Sequence, residues 1–147
     1  MQESRRYSPH CFHDWILASA MKSYDPLTPP EPEEWLSMDE QARLDVVEDF
    51  HRRARISLPN ARVHAVLHAI VENQIALGDE IPVHRTVQRL MLEGLDRHES
   101  IHAVGSVLLN HLSDLLSSPE VEPDVDSNAP YYAALDQLTA KDWLRSR

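Results

Sequence analysis

The chain has 147 residues, 42% apolar and 26% charged, with a formal net charge of −10, ten prolines, three glycines and a single cysteine. That length supports a packed core without disulfides, and the lone Cys11 cannot form one within the chain, so a reducing compartment is expected. Acidity spread along the whole chain disfavours nucleic acid and anionic lipid. No apolar run approaches the roughly 20 residues of a spanning helix, and no signal-type apolar region follows the N-terminus, so a cytoplasmic protein is expected.

Taken in chain order, Phe12, Trp15, Ile16, Leu17 and Met21 stand at near-helical spacing and predict a short amphipathic helix. Asp25-Pro26-Leu27-Thr28-Pro29-Pro30-Glu31-Pro32 lacks too many amide donors to propagate a helix and predicts an extended arm. Ser37-Met38-Asp39-Glu40 has the form of a capping box, and Ala42, Leu44, Val46, Val47 and Phe50 give the next helix an apolar stripe to about Ile56. Pro59 breaks the chain and Asn60 offers an N-cap for a helix from Ala61 to about Leu77, closed by Gly78. A third core helix runs from Pro82 to about Glu93, before Gly94. Asp96 and Glu99 repeat the capping logic for a fourth, from Arg97 to about Leu116. Residues 119–129 form an acidic linker, and a final helix is predicted from Pro130 to Leu144.

No segment sustains the period-two alternation of a strand. The expected fold is therefore all-α: a four-helix core over residues 37–117, an N-terminal helix and Pro-rich arm over 1–36, and an acidic tail with a terminal helix over 118–147.

Histidine is the compositional outlier, with nine residues against two lysines. Between Arg62 and Glu72 the second core helix has no formally charged side chain on any face, which marks a buried helix. His64, His68 and Glu72 follow one another at i, i+4 and i+8, each step turning only about 40°, so three candidate ligands share one ridge. The fourth core helix adds His98-Glu99-Ser100-Ile101-His102, an H-E-x-x-H sequence with two imidazoles one turn apart. Buried imidazoles and carboxylates need partners, and a zinc or iron ion is the partner that this donor set, free of thiolates, suits.

Glu48-x-x-His51 repeats the Glu-x-x-His spacing of Glu99 and His102. In di-iron bundles two such motifs combine with a glutamate from each of two other helices, roles open here to Glu72 and Glu93. Two ions as well as one are therefore open at this stage. With one coordination position free, Glu99 is the candidate general base for hydrolysis. The longer zinc-peptidase pattern that begins His98-Glu99-x-x-His102-x-x-Gly105 fails at Leu108, where a third histidine is required. His10, His13, His84 and His111 are expected at the surface or its boundary.

The string Pro59-Asn60-x-x-x-His64-x-x-x-His68-x-x-x-Glu72-x-Gln74, followed by Asp96-Arg97-His98-Glu99-x-x-His102, resembles the bacterial domain-of-unknown-function 1841 family over roughly residues 45–112. The resemblance implies the two histidine helices and an upstream histidine at the place of His51, and it implies no reaction.

Two functions compete. One is a metal-binding protein using His51, His64, His68, Glu72, His98, Glu99 and His102, with hydrolysis open to it if one coordination position is free and redox chemistry with oxygen if two ions lie close together. The other is a non-enzymatic adaptor in which a metal-free His/Glu network fixes the core, while Trp15, Trp35, Trp143, Tyr131 and Tyr132 on the terminal segments meet a protein partner.

Overall fold

The computed structural model describes residues 21–118, 120 and 122–147. The predicted N-terminal helix, apart from Met21, lies outside the described residues, as do His10, Cys11, His13 and Trp15. Among the described residues there are seven α-helices, one 3-10 turn and no strand. They are α1 (Pro32–Ser37), α2 (Glu40–Arg53), α3 (Ala61–Ala76), α4 (Val83–Leu92), α5 (Arg97–Ser117), α6 (Ala129–Gln137) and α7 (Ala140–Arg145).

Helix α1 starts inside the segment expected to be extended throughout. Pro32 sits in its first turn, where the missing amide proton costs nothing, and the Glu31 carboxylate accepts from the amide of Glu34 at 2.8 Å. Consequently Ser37 is the last residue of α1 and not the cap of the next helix. That cap is Asp39, whose side chain accepts from the amide of Gln41 at 2.9 Å. Arg43 closes the corner by donating to the carbonyls of Leu36 and Met38, at 2.9 and 2.8 Å. Helix α2 stops at Arg53, short of Ile56, because Arg55 turns into the left-handed region at φ 56° and the Ile56 amide reaches back to the His51 carbonyl at 3.0 Å.

The Asn60 side chain caps α3 through the amide of Val63, and Asp96 caps α5 through that of Glu99, both as the sequence predicts. The predicted terminal helix is broken in two. Leu138 and Thr139 are extended, and the Thr139 hydroxyl caps a new helix by accepting from the amide of Asp142 at 3.1 Å. The Ala140 amide donates to the Glu93 carboxylate at 2.7 Å, which fixes the turn against the end of α4.

Helix α3 is the centre of the packing and touches α1, α2, α4 and α5. It feeds two apolar clusters. Ala65 and Ala69 join Tyr24, Trp35, Leu44 and Val47 on one side. Val71 joins Val83, Val87, Leu90, Ile101, Val104, Leu108, Tyr131 and Leu135 on the other. Trp35 is fully buried and donates its indole proton to the Asn73 side chain at 2.8 Å. Tyr24 and Trp35, both from the segment expected as an arm, are therefore part of the core, as is Tyr131 from the tail.

Candidate metal centre

Helices α2, α3 and α5 bring five histidines together: His51 from α2, His64 and His68 from α3, His98 and His102 from α5. One donor atom from each falls within 4.8 Å of every other. His51 and His68 are buried, the other three partly so. The i, i+4 spacing on α3 and α5 sets two pairs of rings side by side, with centroids 4.8 and 4.3 Å apart. The fifth ring comes from the end of α2, where the sequence shows only one histidine.

Two hydrogen bonds decide which nitrogens carry protons. Nδ1 of His51 lies 2.8 Å from the Val47 carbonyl, which only accepts, so Nδ1 bears the hydrogen and Nε2 is bare. Nδ1 of His68 lies 3.2 Å from the Tyr24 hydroxyl, and that hydroxyl donates its single proton to Glu72 Oε1 at 2.6 Å. Tyr24 therefore accepts from His68 Nδ1, and His68 Nε2 is bare too.

These bare nitrogens face other nitrogens. His64 Nε2 is 3.0 Å from His51 Nε2, His102 Nε2 is 3.0 Å from His68 Nε2, and the Nε2 atoms of His64 and His102 are 3.2 Å apart. Proton-bearing nitrogens on His64 and His102 would satisfy the first two contacts, but then the third sets two N–H groups against each other. No arrangement of protons on four neutral rings makes all three contacts hydrogen bonds. One cation in place of those protons removes the conflict, since every ring then offers it a lone pair. Nε2 of His98 is also buried without a hydrogen-bond partner among the described residues.

Three of the nitrogen–nitrogen distances, within a donor group that spans up to 4.8 Å, suit an ion. With metal–imidazole bonds of about 2.0–2.1 Å, neighbouring nitrogens around one ion stand about 2.9 Å apart in an octahedron and about 3.3 Å in a tetrahedron, which brackets the 3.0–3.2 Å observed. Burial, first of all, also holds the rings neutral: His64 and His102 are both pushed down to about 4, helped by His51 and His102 for the first and by His98 for the second. His51, His68 and His98 are lowered for the same leading reason. Neutral rings are the form that binds metal.

The glutamates grouped with these histidines in the sequence stand elsewhere. Glu72 is buried, but both its oxygens accept from Arg97, each at 2.8 Å, and Oε1 also takes the Tyr24 proton. It supports His68 through Tyr24 and is not in the donor group. Burial disfavours the Arg97 charge, yet the bonds and charge of Glu72 raise its pKa overall. The remaining Arg97 proton at Nη1 reaches the Pro26 carbonyl at 2.9 Å, pinning the N-terminal segment over the ion pair. Glu99 turns away to the rim, accepting from the Trp143 indole at 2.8 Å and from Arg147 at 2.9 Å. Glu48 pairs with Arg62, and Glu93 with Arg89 and the Ala140 amide. The carboxylate-bridged di-iron arrangement is absent among the described residues, because every glutamate it needs has another partner.

Tyr24 and Arg97 are the residues that sequence reasoning missed. The one signal was Arg97, the only cation of its helix, in the first turn ahead of the uncharged run from Ala103 to Leu109. His111, expected near the surface, is buried and stacks on Tyr131 at a centroid distance of 5.5 Å. His84 is partly exposed, 3.9 Å from Asp79. Among the described residues no helix is long and apolar enough to cross a membrane.

No protein-family model, no curated protein and no solved structure matches this chain.

Proposed function

We propose that this is a metal-binding helical protein whose five-histidine cluster holds one transition-metal ion, zinc or iron. The observation that carries the reading is the convergence of nitrogens whose contacts no set of ring protons can satisfy. One ion is favoured over two, because the donors crowd within 4.8 Å and include no carboxylate to bridge a pair. Four bound imidazoles suit zinc, whereas all five suit iron, which accepts a fifth and a sixth ligand more readily. A bound ion supplies Lewis acidity and makes a coordinated water acidic, the basis of a hydrolytic reading. Glu99 serves as general base in that reading only after it releases Trp143 and Arg147. Kinship with the domain-of-unknown-function 1841 family, carried by the two histidine motifs, is part of the same proposal.

The test is elemental analysis of untagged protein beside His68→Ala/His102→Ala, with circular dichroism to show that the variant is folded. About one equivalent of zinc or iron in the wild type, lost in the variant, supports the centre. A folded wild type that holds no metal and takes none up overturns it. The competing adaptor reading has less to stand on, since Trp35 and Tyr131 are interior and the Trp143 indole is bonded to Glu99.

A further inference from the structure

A cavity of about 300 Å³ opens against the histidine cluster, with His64, His68 and His102 on its floor and Leu67, Ile101, Leu109 and Trp143 in its walls. Its size is at the lower end for a small-molecule site. Gly105, on α5 one turn beyond His102, completes the lining together with Ser106.

Gly105 is the telling residue. Gly78 and Gly94 follow helices at φ 63° and 112°, a conformation that favours glycine. Gly105 is inside a helix, where glycine is less stable than alanine, and it is buried. Nevertheless a Cβ built on it meets no atom of the described residues within 4 Å. Packing among them gives no reason for the missing side chain, and the effect of its absence is to keep the cavity open beside the cluster.

Charge indicates what fits. Five neutral imidazoles leave a divalent ion with both positive charges uncompensated by its ligands. The nearby carboxylates are already engaged, Glu72 by Arg97 and Glu99 by Arg147. An anionic donor completing the ion's coordination from the cavity side would offset that charge, and the apolar walls would take an uncharged body. Among the described residues no lysine or arginine lines the cavity, so of these groups only the ion would anchor an anionic head there.

Resting on the metal centre proposed above, we infer that the cavity is the binding site for a small monocarboxylate with an apolar body, such as a single aromatic ring, its carboxylate directed at the ion and its body against Leu67, Ile101, Leu109 and Trp143.

The experiment uses the full chain loaded with cobalt(II), whose visible spectrum reports changes in coordination, and titrates it with benzoate, acetate and benzyl alcohol. Benzoate is expected to bind at least ten-fold more tightly than acetate, which lacks the body, and than benzyl alcohol, which lacks the charge. Gly105→Leu is expected to retain the metal by elemental analysis and to weaken benzoate at least ten-fold with little change for acetate. Leu109→Trp narrows the same cavity from its exposed rim, and should give the same result if Gly105→Leu does not fold. A loaded protein that binds benzoate no better than acetate, or no better than benzyl alcohol, overturns the inference and leaves the metal centre standing. So does a folded cavity variant with undiminished benzoate binding. Protein that takes up no metal overturns the centre itself, and this inference with it.

Discussion

The Tyr24 hydroxyl determines which nitrogen of His68 carries the proton. It stands 3.2 Å from Nδ1 of His68 and gives its own proton to Glu72, so it can only accept from the ring. Burial, aided by the Glu72 charge, raises the Tyr24 pKa well above its ordinary value, so the hydroxyl keeps that proton to donate. A chain from Arg97 through Glu72 and Tyr24 to His68 thus turns a bare Nε2 toward the other histidines. It is the arrangement by which outer groups orient a metal ligand.

Tyr24→Phe keeps the ring in the core and removes the hydroxyl. Metal affinity, measured by competition with a chelator, is expected to fall about 10–100-fold, the usual cost of losing such a partner. Undiminished affinity in a folded variant would show that Tyr24 does not orient the ligand.

Arg97→Ala leaves the Glu72 carboxylate buried without its cation. The pair has side chains only 5% and 1% exposed, and breaking a buried pair from one side costs about 3–5 kcal/mol. Urea unfolding should show a loss of that order, with Arg97→Ala/Glu72→Gln recovering part of it. A loss no larger than that of a surface substitution would mean that solvent or a shifted side chain replaces the guanidinium.

The metal-free protein should lose stability on acidification. Above the ordinary histidine value of 6.5 the rings are neutral whether folded or not, and the stability is fully present. As the pH falls, the unfolded chain takes up protons that His64 and His102 refuse until about 4. The loss therefore runs between these limits. Urea midpoints measured across this range should decline, and His64→Gln/His102→Gln should flatten the decline. A wild-type midpoint independent of pH would contradict the neutral, desolvated cluster.

Glu99→Ala separates two roles. As placed, the side chain holds α7 through Trp143 and Arg147, so its loss should free the C-terminal helix. Trp143 emission should shift to the red and proteolysis near residue 140 should quicken, while metal content stays at the wild-type level. Loss of the ion with an unaltered Trp143 signal would instead make Glu99 a ligand.

Sequence alone determined the helical class, the start of α3 at Asn60 and of α5 at Asp96, and the two histidine pairs. All of these depend on chemistry within a few residues: a side chain that reaches the third amide onward, apolar periodicity, and the 3.6-residue turn that stacks i on i+4. Where a local signal has a local rival, the sequence is ambiguous. Ser37 resembles a cap, yet Pro32 starts α1 earlier, and Thr139 caps a second helix where one run to Leu144 looked continuous.

Only tertiary structure decided who partners whom. His51 is one histidine at the end of a helix until α2 packs on α3, and that packing alone brings Nε2 within 3.0 Å of His64. Glu72 continues the ridge of His64 and His68, but Arg97, 25 residues away, claims its carboxylate and leaves the donors all imidazole. A guanidinium and a carboxylate excluded from water find each other wherever the fold permits, and spacing along one helix cannot reveal a cation delivered by another.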